Sequence, residues 1–248
     1  MYEFLKKDED NIFIIAELSA NHNHDLEIAK KTIKAIAESG ADAVKLQTYT
    51  PDTLTIDCKN KYFEINNGTP WDGTTLYELY KTAYTPWEWH KELFDYAKHL
   101  GLVCFSTPFD RTAVDFLEKL DPPVYKIASF EITDIPLIQY IASKKKPVIM
   151  STGIATLLEI VEAVNACKEV GNNDITLLKC VSSYPAPIED SNLKTMVNIG
   201  ETFGLKVGLS DHSLGSEVAI AAAVLGAKVI EKHFILDRNM GGPELGRA

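Results

Sequence analysis

Two histidines carry the sharpest chemical signal in the chain. His212 and His233 stand 21 residues apart, each just beyond a short apolar run, Lys206–Leu209 and Lys228–Glu231. If those runs are neighbouring parallel strands, the imidazoles converge on one divalent metal with open positions for substrate and water. The alternative is a pair of hydrogen-bonded structural histidines. Lys45 and Lys126 interrupt two other apolar runs, and a lysine there needs a partner. An anionic ligand supplies one, with Thr107, Ser129, Ser151 and Ser210 as short hydroxyl donors beside it. In that case removing a lysine from the free protein costs little stability. The competing reading is a set of internal ion pairs with Glu17 and Glu131 as partners. A Schiff-base lysine is a third reading, but it needs a depressed ammonium pKa, which Glu131 near Lys126 does not favour.

Glu17 and Glu131 are also candidate acid and base groups. Gln47 closes the run that holds Lys45. Tyr184, in Tyr184-Pro185-Ala186-Pro187, sits on a rigid loop able to cover a ligand, or in a structural turn. Asn21-His22-Asn23-His24 reads as loop and helix-cap chemistry, with Asp25 opening a helix. Trp87 and Trp89 read as packing residues, and Cys104 and Cys180 as small core residues.

Such groups must be positioned by elements that alternate along the whole chain. Apolar runs predict strands at Ile12–Ala16, Ala43–Gln47, Leu102–Ser106, Val124–Ile127, Pro147–Met150, Ile175–Lys179, Lys206–Leu209 and Lys228–Glu231. Amphipathic stretches predict helices at Leu26–Glu38, Pro86–Leu100, Arg111–Leu120, Ile135–Ser143, Thr156–Glu169, Leu193–Phe203 and Glu217–Leu225, with a further packing helix in Thr74–Thr85. Glycines punctuate the helix ends. Continuous apolar strands in strict β/α alternation predict a parallel sheet buried on both faces. No glycine-rich turn follows the first strand, which favours a closed (β/α)8 TIM barrel over an open dinucleotide-binding sheet. Polar and ionisable residues follow all eight strands, where barrel enzymes build their sites. The polar stretch Thr50–Thr75 reads as a lid or binding loop. The chain, read as one catalytic barrel domain over residues 1–248, ends soon after the eighth strand, so the last barrel helix is expected to be missing.

A length of 248 residues fits one such barrel, and 46% hydrophobic residues suffice for its core. A net charge of −10 argues against nucleic acid or an anionic membrane as partner. No apolar run approaches the roughly 20 residues of a membrane span, and the start lacks a signal-peptide layout. Four cysteines without metal-like spacing fit a reduced cytoplasm.

Taken in order, the motifs resemble the sialic acid synthase family from about Ile12 to Pro243. They are Ala16-Glu17-Leu18-Ser19-Ala20-Asn21-His22, Lys45-Leu46-Gln47-Thr48, Phe105-Ser106-Thr107-Pro108-Phe109, Tyr125-Lys126-Ile127-Ala128-Ser129-Phe130-Glu131, Ser151-Thr152-Gly153, Tyr184-Pro185, Gly208-Leu209-Ser210-Asp211-His212-Ser213 and Ile230-Glu231-Lys232-His233-Phe234. Glu17-Leu18-Ser19 and the stretch Pro70-Trp71-Asp72 through Tyr80 resemble the branch that takes a 2,4-diacetamido-2,4,6-trideoxy sugar. Val181 stands where sialic acid makers tend to carry asparagine.

The resemblance implies a metal-dependent condensation of phosphoenolpyruvate with an N-acetylated amino sugar, giving a nine-carbon acid and phosphate. It implies that His212 and His233 bind Mn²⁺, or Mg²⁺ or Co²⁺ in its place. Lys45, Thr107, Lys126, Ser129, Ser151 and Ser210 would hold phosphoenolpyruvate. Gln47, Tyr184 and Glu244 would line the sugar, and Glu17 and Glu131 would move protons or orient water. Family members also carry a C-terminal antifreeze-like domain that caps the partner subunit's site, which implies a homodimer when that domain is present; the expectation here is that it is absent. Three other functions compete on sequence grounds: another branch of the same family, making N-acetylneuraminate or legionaminate; a Schiff-base pyruvate aldolase; and a sugar-binding remnant without catalysis.

Overall fold

Every strand of this chain places alternate residues on opposite faces, and both faces are buried. The computed structural model describes residues 11–66 and 71–240. Eight strands close a barrel in sequence order: β1 Phe13–Glu17, β2 Ala43–Thr48, β3 Val103–Pro108, β4 Tyr125–Ile127, β5 Val148–Ser151, β6 Ile175–Cys180, β7 Lys206–Asp211 and β8 Val229–His233. All neighbours are parallel, and β8 closes on β1 with His233 opposite Glu17. This is the expected TIM barrel. Several strands run one or two residues further at their C-terminal ends than the apolar pattern alone predicts. The ladder continues because the polar mouth is still inside the barrel, so its backbone must still be paired.

Phe13, Ile15, Ala43, Phe105, Val124, Ile149, Leu178 and Val229 fill the barrel interior. The opposite faces, among them Ala16, Val44, Leu46, Tyr125, Ile127 and Leu177, pack under the helices. Gly208 is an inward position where the barrel is tight: a Cβ there would lie 2.1 Å from the Val229 carbonyl oxygen.

The helices are α1 Leu26–Glu38, α2 Pro51–Leu54, α3 Leu76–Ala83, α4 Trp87–His99, α5 Arg111–Glu118, α6 Ile135–Ala142, α7 Leu157–Glu169, α8 Lys194–Phe203 and α9 Glu217–Val224. Asp25 caps α1 by accepting from the Glu27 and Ile28 amides, as its type predicts. Gly204 ends α8 in the left-handed conformation, φ +62°, which glycine adopts without Cβ strain. Among the described residues no α-helix follows β8, only a 3-10 turn at Arg238–Met240.

The stretch after β2 is not the plain loop that its polarity suggests. It contains α2, then an antiparallel bridge between Glu64 and Thr75. The Ile65 amide donates to the Thr74 carbonyl and the Leu76 amide to the Phe63 carbonyl. Positions 67–70, which include Pro70, lie outside the described residues.

Candidate functional site

Counting two residues at a time along each strand leads from the apolar interior to the mouth. Ile15 is followed by Glu17, Ala43 by Lys45 and Gln47, Phe105 by Thr107, and Val124 by Lys126. Ile149 is followed by Ser151, Leu178 by Cys180, Gly208 by Ser210 and His212, and Val229 by Glu231 and His233. All of these mouth residues line one cavity of about 600 Å³, joined by Ser129, Glu131, Ser182 and Tyr184. Twelve of the thirteen site residues expected from sequence therefore share one chamber. The thirteenth, Glu244, lies outside the described residues, as do Gly241, Gly242 and Pro243.

The floor is a buried charge network. Lys45 Nζ lies 3.0 Å from Glu17 Oε2 and 2.9 Å from Glu231 Oε1, with all three side chains at most 5% exposed. Lys126 Nζ donates to Ser151 Oγ at 2.6 Å and to the Ile127 carbonyl at 2.9 Å, and stands 3.8 Å from Glu231 Oε1. Ser210 Oγ donates to that same oxygen at 3.1 Å. Gln47 Nε2 donates to Glu17 Oε1 at 2.8 Å, and the Gly153 amide donates to Ser129 Oγ at 3.1 Å. Internal lysine–glutamate pairing thus does occur. Its second acid is Glu231, not Glu131, for which no ion pair is formed among the described residues. Glu231 could have been found in the sequence as the inward residue two before His233. Cys180, expected as plain core, lines the cavity with its thiol 3.7 Å from His212 Nδ1.

Three carboxyls in this chamber sit in three electrostatic environments. Burial opposes the charge of Glu17, but Lys45 and the Gln47 hydrogen bond hold its carboxyl below the usual range. Burial likewise opposes charge on Glu231, and Lys126 and Lys45 overcome it. For Glu131 burial outweighs the opposing pull of its own backbone amide and of Lys126 and Lys45, and pushes it up to about 7. Burial also draws the Lys126 ammonium below its ordinary value, against the pull of Glu231. A Schiff-base lysine is therefore not disfavoured by local electrostatics, contrary to the sequence expectation. Thr107 Oγ1, one oxygen of Glu131 and one of Glu231 are buried without a hydrogen-bond partner among the described residues, which marks the chamber as built for a polar ligand.

The two histidines do converge. Their ring centroids are 5.4 Å apart, and Tyr184 stacks over His212 at 4.1 Å. His212 Nδ1 lies 2.8 Å from the Val181 carbonyl, which assigns the proton to Nδ1 and leaves Nε2 as the basic nitrogen. Glu17 Oε2 lies 3.5 Å from His233 Nε2. On the outer face, Lys232 Nζ donates to Asp211 Oδ2 and to the Ser213 carbonyl, both at 2.6 Å, clamping the ends of β7 and β8 together. No group of three or more His, Cys, Asp or Glu side chains is spaced for a metal among the described residues. Two imidazoles fit a cation whose other positions stay open to substrate and water. His22 belongs elsewhere: it meets Thr85 Oγ1 at 3.1 Å and the edge of Trp89, and burial lowers its pKa to about 4. Val181 does not line the cavity with its side chain; it contributes its carbonyl to His212.

A closed parallel barrel with ionisable groups gathered at the C-terminal ends of its strands defines a (β/α)8-barrel enzyme. The chain matches the model of the NeuB family over residues 32–247 and belongs to that family. It is 56% identical to the pseudaminic acid synthase of Helicobacter pylori over 231 residues, 93% of this chain and 68% of that protein. It is 51% identical to a pseudaminic acid synthase of Campylobacter jejuni, over 94% of this chain and 67% of that protein. Among solved structures, the N-acetylneuraminic acid synthetase of Leptospira borgpetersenii superposes with a TM-score of 0.86 at 32% identity, covering 96% of this chain and 79% of that one.

Proposed function

We propose that this chain condenses phosphoenolpyruvate with 2,4-diacetamido-2,4,6-trideoxy-altrose to give pseudaminic acid and phosphate. The observation that carries the reaction class is the polar floor: two buried lysines ringed by Thr107, Ser129, Ser151 and Ser210, in a chain of the NeuB family. The preference for this sugar rests on the identity to pseudaminic acid synthases, 56% and 51%, against 32% to the N-acetylneuraminic acid synthetase.

Lys45 and Lys126 hold the phosphate and carboxylate of phosphoenolpyruvate, with the four hydroxyls satisfying the remaining oxygens. Carbon 3 of the enol attacks the aldehyde carbon of the open-chain sugar, forming the new C–C bond. Water adds at carbon 2, and phosphate leaves with cleavage of its C–O bond. Glu131, which titrates near neutrality, orients that water and takes its proton. Glu17, held ionised by Lys45, accepts hydrogen bonds from the sugar together with Gln47 instead of giving up a proton. His212 and His233 would hold Mn²⁺ or a similar ion, whose contribution when bound is Lewis-acid polarisation of the aldehyde oxygen. The charges of Glu17, Lys45, Lys126 and Glu231 balance one another, so a polyanion gains from a cation held beside them. Tyr184 covers the bound pair.

The test is phosphate release from phosphoenolpyruvate by this chain, with and without a separately supplied antifreeze-like domain, given each of two sugars. The expected result is Mn²⁺-dependent release with the diacetamido sugar, weak release with N-acetylmannosamine, and loss in His212→Ala and His233→Ala. Equal or better turnover of N-acetylmannosamine overturns the sugar assignment. A borohydride-reducible adduct formed on Lys126 with pyruvate overturns the reaction class.

A further inference from the structure

The cavity is two-sided. Its floor is charged, while the side above β2 is aliphatic and aromatic: Leu54, Ile65, Leu76, Leu79, Tyr80 and Ala83 line it. Four of these, Leu76, Leu79, Tyr80 and Ala83, follow the helical i, i+3, i+4, i+7 spacing on α3. They form one stripe of an amphipathic helix, whose other face carries Glu78, Lys81 and Thr82. In an ordinary barrel helix such a stripe is spent on the core. Here Leu76 and Leu79 are only half-buried, and the stripe looks into the ligand chamber.

The segment is fixed in place. Tyr77 Oη donates to Asp52 Oδ1 at 2.9 Å and ties α3 to α2. The Glu64–Thr75 bridge holds Ile65 beside the start of α3, and Tyr49 packs edge-on against Tyr80 and Phe109. The described charged side chains of the segment, among them Asp52, Glu64, Glu78 and Lys81, do not line the cavity. Water gains nothing from an aliphatic wall, and a fully hydroxylated sugar would lose hydrogen bonds against it.

We propose that this wall is an apolar subsite that selects the amino sugar by its deoxy methyl and acetamido methyl groups. The proposal rests on the reaction assigned above and adds the surface that chooses among sugars. The polyanion is drawn to the lysines, so the sugar's apolar substituents are left to the opposite side. One methylene in such a pocket discriminates by roughly 10–200-fold.

Leu79→Gln tests it, because glutamine keeps the helix propensity while placing an amide on the wall. Expected is a fall of about tenfold or more in kcat/KM for the diacetamido-trideoxy sugar. The KM for phosphoenolpyruvate should stay unchanged, and the ratio of rates should shift toward N-acetylmannosamine. Leu79→Met, which keeps an apolar surface, should retain the wild-type ratio. Equal losses with both sugars, a parallel rise in the KM for phosphoenolpyruvate, or no change at all would overturn the wall's role. The wild-type arm separates the two readings: release with neither sugar sinks the assigned reaction itself, whereas turnover with an unmoved ratio in Leu79→Gln sinks only the wall.

Discussion

Three glutamates face the same chamber, and their neighbours give them different work. Glu17 and Glu231 each stand within 3.0 Å of Lys45 and stay ionised. Glu131 is half-buried, forms no ion pair among the described residues and is pushed by burial up to about 7, so of the three it alone changes protonation near neutral pH. The pH profile of kcat should carry an inflection near 7 that Glu131→Gln removes. Stability gives a second readout. A carboxyl whose native pKa is raised adds stability that is fully present below its unfolded value and is lost as pH rises through about 7. The melting temperature of the wild type relative to Glu131→Gln should therefore fall between pH 5 and pH 8. A constant difference across that window would show that Glu131 does not titrate there. Glu17 and Glu131 were legible in the sequence as acids of the mouth, but Glu231 as the third member and the pairing of all three were not. Glu131 follows Lys126 closely along the chain, yet the partner of both lysines comes from β8, more than 100 positions away in sequence.

At the scale of elements, the pattern read best where the physics is local. Apolar runs located all eight strands, and the amphipathic helices fell within about two residues of their observed ends, because both depend on burial at short period. The stretch after β2 read poorly: α2 has four residues and no buried side chain, so no apolar period announces it. The wall of α3 was legible as a packing helix, but the void it packs against was not. The tight point of the barrel is also a tertiary fact. Gly208 must be glycine because β7 and β8 leave a Cβ 2.1 Å from the Val229 oxygen and 2.8 Å from Leu178 Cδ2. Gly208→Ala should cost about 1–3 kcal/mol through overpacking. It should also displace β8, which carries Glu231 and His233, so activity should fall further than the loss of stability explains. Chemical denaturation and phosphate release measured on the same preparation check both effects. Wild-type kcat in a destabilised Gly208→Ala protein would show that β8 absorbs the strain without moving its mouth residues.

The whole molecule couples the site to the fold, because the chamber draws residues from all eight strands and exists only when the barrel is closed. A ligand that binds the native state alone stabilises it by about 2.7 kcal/mol at 100 times its Kd. For a domain of this size that raises the melting temperature by roughly 5–11 °C, at about 2–4 °C per kcal/mol. Phosphoenolpyruvate should produce such a rise in the wild type. The lysines should then split into two behaviours. Lys45 is 3% exposed and bridges two buried carboxylates, so Lys45→Ala leaves both without their cation and should cost about 3–5 kcal/mol before any ligand is added. That reverses the sequence expectation of a small cost, since the mouth is drier at Lys45 than an open site would be. Lys126 donates to a serine and a carbonyl and only approaches Glu231. Lys126→Ala should therefore lower the baseline less while abolishing the rise with phosphoenolpyruvate, as Lys45→Ala also does. Thermal melts of the two variants with and without the anion decide the matter. A full ligand-induced rise in both would place the anion away from this floor and leave the lysines as members of an internal ion-pair network.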